Sequence, residues 1–525
     1  MAASKDAPQA GVLSNAALVG SATMASRVSG FIRDIFLAAL LGAGPLAEVF
    51  VIAFRLPNLF RRLFAEGAFN AAFVPLFAAR LSQKGEGAAL AMAGQILSVL
   101  LAGLAIFTLL AEIFMPALVL ALAQGFAGAP DKFDLAVHYA RISFPYLIFM
   151  SLMALFAAML NAVNRFFAAA LAPVLLNLVL IATMALAVLD GVLAGDTRLL
   201  DYIIYGVAVA GAAQFLFVFI AARRAGMRAK LARPQLSDDV KKVWGLAVPG
   251  ILAAGIGQIN LLIGTSIATG QAGAAAWLYY ADRLYQLPMG VIGVALSVAL
   301  LPELARRLAA GDTARAHNAQ DLAVLAAGGL TLPAAAGLFA LAAPIVTALF
   351  ERGAFTAADS ALTAQLVAMF CFGLPAFVFV KALQPSFFAR QDTRAPLVDG
   401  ALGVVVNIGL SLTLFPIYGA PAVAFATVMA GWVTLSLMLI RMARRGIYRL
   451  SPSVLRRLAA QLAAALLMAW ALIYAATIIT PPSDLLALSL WLVGFISSGL
   501  VVYGLAALAL GAVKRADISL LRGRR

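Results

Sequence analysis

One cysteine and two histidines in 525 residues leave little for a disulfide framework or a histidine-rich metal centre. Cys371 has no second thiol to join within the chain, and His138 and His317 lie far apart in sequence. Charge is scarce too: 12% of residues are Asp, Glu, Lys or Arg, about half of the roughly 25% usual for soluble domains. That excludes an ordinary water-soluble domain. No DxD, HExxH, GxSxG or nucleotide-binding glycine loop occurs, so the usual sequence signals of a membrane hydrolase or transferase are missing. The first residues lack a short apolar core with a cleavage site, and we read them as an uncleaved cytoplasmic start.

What is there is apolar. Hydrophobic residues make up 64% of the chain, and runs of about 20 or more recur from Gly11 to Val513, each long enough to cross a roughly 30 Å hydrocarbon core as a helix. Ten-residue alternating segments of a β-barrel are absent. The expectation is an all-α integral membrane protein with about fourteen transmembrane helices, the first near 12–42 and the last near 485–512. The net charge of +15 is concentrated in alternate loops, including "RRAGMRAKLARPQLSDDVKK" at 223–242, while "AGAPDKFD", "TGQAG" and "PPSD" between them are neutral or acidic. This is the positive-inside pattern. It places both termini in the cytoplasm and assigns the basic loops to anionic membrane lipids rather than to nucleic acid.

The chain also carries an internal echo. "RLPNLFRRLFAEGAFNAAFVPLFAAR" from Arg55 resembles "RLYQLPMGVIGVALSVALLPELARR" from Arg283; both join a Leu-Pro pair to a second proline and a basic end. Transporters are often built from such repeats. The expected organisation is an N-terminal six-helix lobe (1–225), a C-terminal six-helix lobe (226–445), and an appended pair of helices with a basic tail (446–525).

Charges inside the expected spans need a reason. An arginine at mid-bilayer costs roughly 2.5–3.5 kcal/mol on insertion scales, so unpaired contact with lipid is excluded. In the first span Arg27 and Asp34 are seven apart and share a helix face, with Arg33 about 120° from Arg27. Ser29 and Gly30 between them offer a bend. In the second, Glu48, Arg55 and Arg62 recur every seven residues, Glu66 follows Arg62 by four, and Pro57 interrupts the backbone ladder so that Arg61 can turn inward. Asp282 and Arg283 add a pair in the eighth. From Arg27 to Glu66 five arginines face three acids, which leaves a positive surplus even if every acid is paired. A hydrated interior with surplus guanidinium suits a phosphate-bearing ligand, because the planar fork matches phosphate oxygens. Interhelix salt bridges are the competing use, strongest for Arg62 beside Glu66.

"SRVSGFIRD", "FRLPNLFRRLFAEGAFNAAFVP", "YADRLYQLPMGVIGVALSVALLPELAR" and "RQDTRAP" together resemble the lipid II flippase (MurJ/MviN) family of the multidrug/oligosaccharidyl-lipid/polysaccharide exporter superfamily. The resemblance covers nearly the whole chain. It implies two six-helix lobes around a central cavity plus two C-terminal helices in the bacterial inner membrane. It further implies movement of a lipid-linked peptidoglycan precursor, lipid II (an undecaprenyl-diphosphate-linked disaccharide peptide), from the cytoplasmic to the periplasmic leaflet by alternating access. Position by position, the family's cavity arginines match Arg27, Arg33, Arg61 and Arg283, with Ser26 and Asn58 beside them on the substrate side. Asp34, Glu48, Arg55, Arg62, Glu66 and Asp282 then serve as charge partners or gate residues. Glu48 departs from the family's aspartate. No cofactor is implied. Some members use a sodium site built from acids in the seventh and eleventh spans; here the seventh has none and the eleventh only Asp399, so no metal site is expected. A cation-coupled drug exporter of the same superfamily, a membrane enzyme acting on polyprenyl diphosphate, and a scaffold are the alternatives; the basic interior and two extra spans weigh against them.

Overall fold

The computed structural model describes residues 7–64 and 68–512, helical almost throughout and without a β-strand among them. A chain in hydrocarbon must satisfy every backbone N–H and C=O internally, and these apolar runs do so as helices. The chain forms two compact units, divided between Gly273 and Ala274.

The first unit comprises α1 (Ala7–Leu41), α2 (Pro45–Phe64), α3 (Ala68–Ile113), α4 (Met115–Leu122), α5 (Pro130–Ser143), α6 (Tyr146–Ala162), α7 (Phe167–Leu189), α8 (Arg198–Arg224) and α9 (Asp238–Ala268). The α5–α6 stretch is its core: 72% of the most apolar window of Pro130–Ala162 is buried. Around it α6 meets α2, α3 and α8, α7 joins α1 to α8, and α9 lies along α3. α3 is two helices in succession, broken at Gly85, whose φ of 80° and ψ of 176° suit glycine alone. The first unit runs through α9, the seventh expected span, to Gly273.

The second unit comprises α10 (Ala274–Pro288), a π-turn (Met289–Gly293), α11 (Val294–Ala309), α12 (Thr313–Ala340), α13 (Ala342–Phe350), α14 (Ala357–Phe388), α15 (Arg394–Tyr418), α16 (Ala420–Arg444), α17 (Pro452–Ile478) and α18 (Leu485–Ala509). Here α14 is central, packed by α10, α11, α12, α13 and α16. Its start is fixed by a capping box in which the Thr356 hydroxyl accepts from the Asp359 N–H while the Asp359 carboxylate accepts from the Thr356 N–H. In the loop before α15, the Ala395 N–H and then the Arg445 guanidinium hold the Asp392 carboxyl below its usual range. The final pair docks on α12, with the Gln461 amide donating to the Leu325 carbonyl (3.1 Å) and the Tyr503 hydroxyl to that of Gly329 (3.0 Å). A methyl group at Gly328 would meet Gln461 Oε1 at 2.5 Å, so glycine there lets α17 approach.

Eleven helices among the described residues are long and apolar enough to cross a membrane. The other expected spans fall on α1, on α2 with the start of α3, and on α9, so the count of fourteen rests on the sequence. Large apolar side chains stay exposed on the rims, Leu189 at 81% and Ile417 at 71% among them, as lipid contact requires.

The basic linker does not hang free. Between α8 and α9 it runs along the second half of α3: the Ala232 N–H donates to Ser98 Oγ (2.9 Å) and the Ser237 hydroxyl to Gln95 Oε1 (2.8 Å), while Asp239 in the first turn of α9 pairs with Arg80 before the Gly85 break. Gly94 makes room, since a Cβ there would lie 2.2 Å from the Lys230 carbonyl oxygen, a backbone atom that cannot swing aside. We expect Gly94→Ala to lift this segment and speed tryptic cleavage after Arg228 and Lys230 in the folded protein. Unchanged cleavage would mean that the contact does not hold the strap.

Candidate functional site

The charged stretch of α1 is built around one closed network. Arg33 is buried, and each of its three guanidinium nitrogens donates: Nε (3.0 Å) and Nη2 (2.7 Å) to Asp34 Oδ1, and Nη1 (2.9 Å) to Asn177 Oδ1 on α7. Asn177 in turn donates through Nδ2 to the Ser26 carbonyl and to Ser29 Oγ, both at 3.0 Å. The bend offered by Ser29 and Gly30 is used as a docking notch: a Cβ at Gly30 would come within 3.3 Å of Asn177 Nδ2. Sequence reasoning expects Arg33 to present its guanidinium to a ligand; the structure pairs it with the adjacent Asp34 on α1 and ties it to α7 by a hydrogen bond to Asn177.

Arg27 is different. One to two turns before Arg33 on α1, it is half-buried and makes no ion pair or hydrogen bond among the described residues. Its helix is held at Ser26 and Ser29 by Asn177, so the side chain projects from a fixed backbone. On α2, Arg61 Nε donates to Asn58 Oδ1 (3.1 Å), and Asn58 Nδ2 donates back to the Phe54 carbonyl (3.0 Å). Asn58 is thus a bracket that orients Arg61. Arg55 is half-buried one and a half turns earlier. The side chain of Arg62, and Glu66 entirely, lie outside the described residues.

Glu48 is fully buried and ion-paired to Lys132 at the start of α5, whose ammonium also lies 4.0 Å from the centre of the Phe126 ring. A longer side chain than aspartate is accommodated there by a lysine 84 residues away in the chain. In the second unit the Arg283 guanidinium sits over the Tyr279 ring, 4.5 Å from its centre, and Asp282 accepts from Gln286 one turn on. Asp282 thereby has an orienting partner on its own helix. Asp399 is buried and gripped by Arg441, which donates from Nη2 (2.6 Å) and Nε (3.1 Å). That carboxylate neutralises an arginine. Among the described residues no group of three His, Cys, Asp or Glu side chains is placed to hold a metal.

The sequence profile of the lipid II flippase MurJ family matches residues 37–494. The chain belongs to that family. Among curated relatives, the probable lipid II flippase MurJ of Rhizobium meliloti (strain 1021) is 44% identical over 96% of this chain and 95% of its own. The lipid II flippase MurJ of Burkholderia cenocepacia is 34% identical over 86% and 87%. Among solved structures, a lipid II flippase MurJ in an inward closed conformation aligns with a TM-score of 0.78 at 22% identity, covering 93% of this chain and 98% of its own. An inward-facing multidrug transporter of the MATE family aligns at 0.66 and 16%, covering 82% and 98%. These structural likenesses establish the fold, an all-helical arrangement shared with the two solved structures.

Within that family frame the sorting of charges is the informative result. Asn177 and Lys132 are functional neighbours that sequence reading missed. Each lies on a helix remote in sequence from its partner, 144 residues from Arg33 and 84 from Glu48, where helical periodicity says nothing. Asn177→Ala removes three hydrogen bonds, among them the one from the buried Arg33 Nη1. We expect a loss of roughly 1–3 kcal/mol in stability, read as a lower unfolding temperature in detergent, together with reduced complementation. A variant as stable and as active as wild type would show that α7 does not anchor α1.

Proposed function

We propose that this chain is a lipid II flippase: a transporter, not an enzyme, that carries the diphosphate-sugar head of lipid II from the cytoplasmic to the periplasmic leaflet while the polyprenyl tail stays in lipid. Membership of the MurJ family, over residues 37–494, supports the substrate. The observation that carries the site is Arg27, a guanidinium on a rigidly held transmembrane helix with no protein counterion among the described residues.

The chemistry follows from that geometry. A diphosphate needs bidentate cationic donors, and it needs them where bulk water does not screen them. Arg27, Arg61 and Arg283 supply the donors; Asn58 orients Arg61, the Tyr279 ring carries Arg283, and the Arg33–Asp34–Asn177 network with the Ser26 carbonyl fixes the backbone that bears Arg27. Glu48 with Lys132 locks the starts of α2 and α5 together and acts as a gate contact. Transport requires the head to be bound less well once the outer side opens, since a ligand held equally in two states shifts neither. Alternating access supplies that difference, and α17–α18 offer apolar surface for the tail. Both termini face the cytoplasm in this reading.

Depletion of the protein in living cells should leave intact lipid II trapped in the cytoplasmic leaflet, as detected by a periplasmic probe that modifies only flipped precursor. An altered or missing precursor would instead indicate an enzyme. Arg27→Ala and Arg283→Ala should each abolish complementation with normal membrane insertion. Full complementation by both would remove their assigned role.

A further inference from the structure

We infer that Lys381 is a further cationic contact for the translocated headgroup, taking an anionic oxygen of phosphate or carboxylate in a wet groove between α14 and the π-turn. This rests on the flippase reading above. Lys381 is on α14, the central helix of the second unit, seven residues before its end, and its side chain is exposed.

Its surroundings fix where the stem goes. Gly293 closes the π-turn, and a Cβ there would touch Lys381 Cβ and Cγ at 3.3 and 3.4 Å. One turn on, the Ser297 hydroxyl donates to the Lys381 carbonyl at 2.6 Å. The stem therefore lies against the α10–α11 span near its midpoint, since Gly293 falls about halfway along Ala274–Ala309. Glycine lets the two helices close on the lysine, and π-turns recur at functional sites because they interrupt regular packing.

Charge accounting then selects the ligand. Among the described residues nothing accepts from the Lys381 ammonium. The carboxylates on neighbouring elements are engaged elsewhere: Asp282 with Gln286, Glu303 with Arg306 and Arg307, Asp321 with Tyr448, Asp392 with Arg445, Asp399 with Arg441. A lysine at this depth without a counterion is untenable against acyl chains, so its groove is hydrated, and an intramembrane ionisable group in such a place is functional by default. Arg283 lies ten residues before Gly293, about 15 Å along the helix. A diphosphate-linked disaccharide peptide is long enough to meet both, and it carries phosphates at one end and peptide carboxylates at the other.

The test uses the full-length protein in lipid nanodiscs, with lipid II and undecaprenyl diphosphate as separate probes, and compares wild type, Lys381→Gln and Lys381→Arg. Lys381→Gln should weaken lipid II binding roughly tenfold and Lys381→Arg should restore most of it. Weakening for both probes assigns the contact to phosphate; weakening for lipid II alone assigns it to the peptide or sugar portion. Wild-type affinity of Lys381→Gln for both probes overturns the inference and leaves the flippase reading intact. Failure of the wild-type protein to bind lipid II overturns both. Retained binding of undecaprenyl diphosphate by Lys381→Gln, or a monodisperse profile matching wild type in size-exclusion chromatography, separates loss of the contact from loss of the fold.

Discussion

An ionised group inside a membrane protein must have an answer to its charge, because hydrocarbon supplies none. Most of the transmembrane charges here are answered internally and at short range. Arg33 closes on Asp34 and Asn177, Glu48 on Lys132, and Asp399 on Arg441. Each of these ties two elements together, so charge that would otherwise oppose insertion specifies which helices meet. Closed pairs of this kind add little net stability over an apolar replacement, but breaking one leaves an uncompensated buried charge, which is why they fix geometry. What is left over after this pairing, Arg27 foremost, is the part of the charge inventory that the proposed function assigns to the ligand.

Close approach of backbones is the second recurrent device. Lipid gives no hydrophobic force between helices, so contact depends on shape and small residues. Gly94 admits the carbonyl of Lys230, Gly328 admits Gln461, and Gly293 admits the stem of Lys381. In each case the glycine sits where a polar group of a second element arrives, so the small residue serves a hydrogen bond or a charge as well as packing. Gly206 against Thr183 and Gly403 against Thr434 repeat the arrangement inside the two units.

Much of the architecture was legible because its signals are periodic or cumulative. Long apolar runs give helices, and the run lengths place most spans within a few residues of where they lie. The arginines of α1 and α2 were legible by type and spacing, since a charge in an apolar helix stands out. Their partners were not. A helical wheel ranks neighbours within one helix, and it cannot say that Asn177 on α7 will reach Arg33, or that Lys132 in a short polar segment will reach Glu48. Loop charge reports which side of a membrane a loop occupies, whereas packing joins helices into a unit, and α9 packs along α3.

Arg27 and Arg33 lie on one helix but differ in their partners. Both are arginines, six residues apart, and sequence alone treats them alike. Asn177 separates them. By accepting from Arg33 it adds a neutral hydrogen bond to the Asp34 ion pair, and by donating to the Ser26 carbonyl it immobilises the peptide unit immediately before Arg27. A guanidinium at the end of a long flexible side chain loses less entropy on capture of a phosphate when its own backbone is already fixed. In the proposed reading, the network around Arg33 assists binding without touching the ligand, by holding the backbone that carries Arg27 one to two turns away.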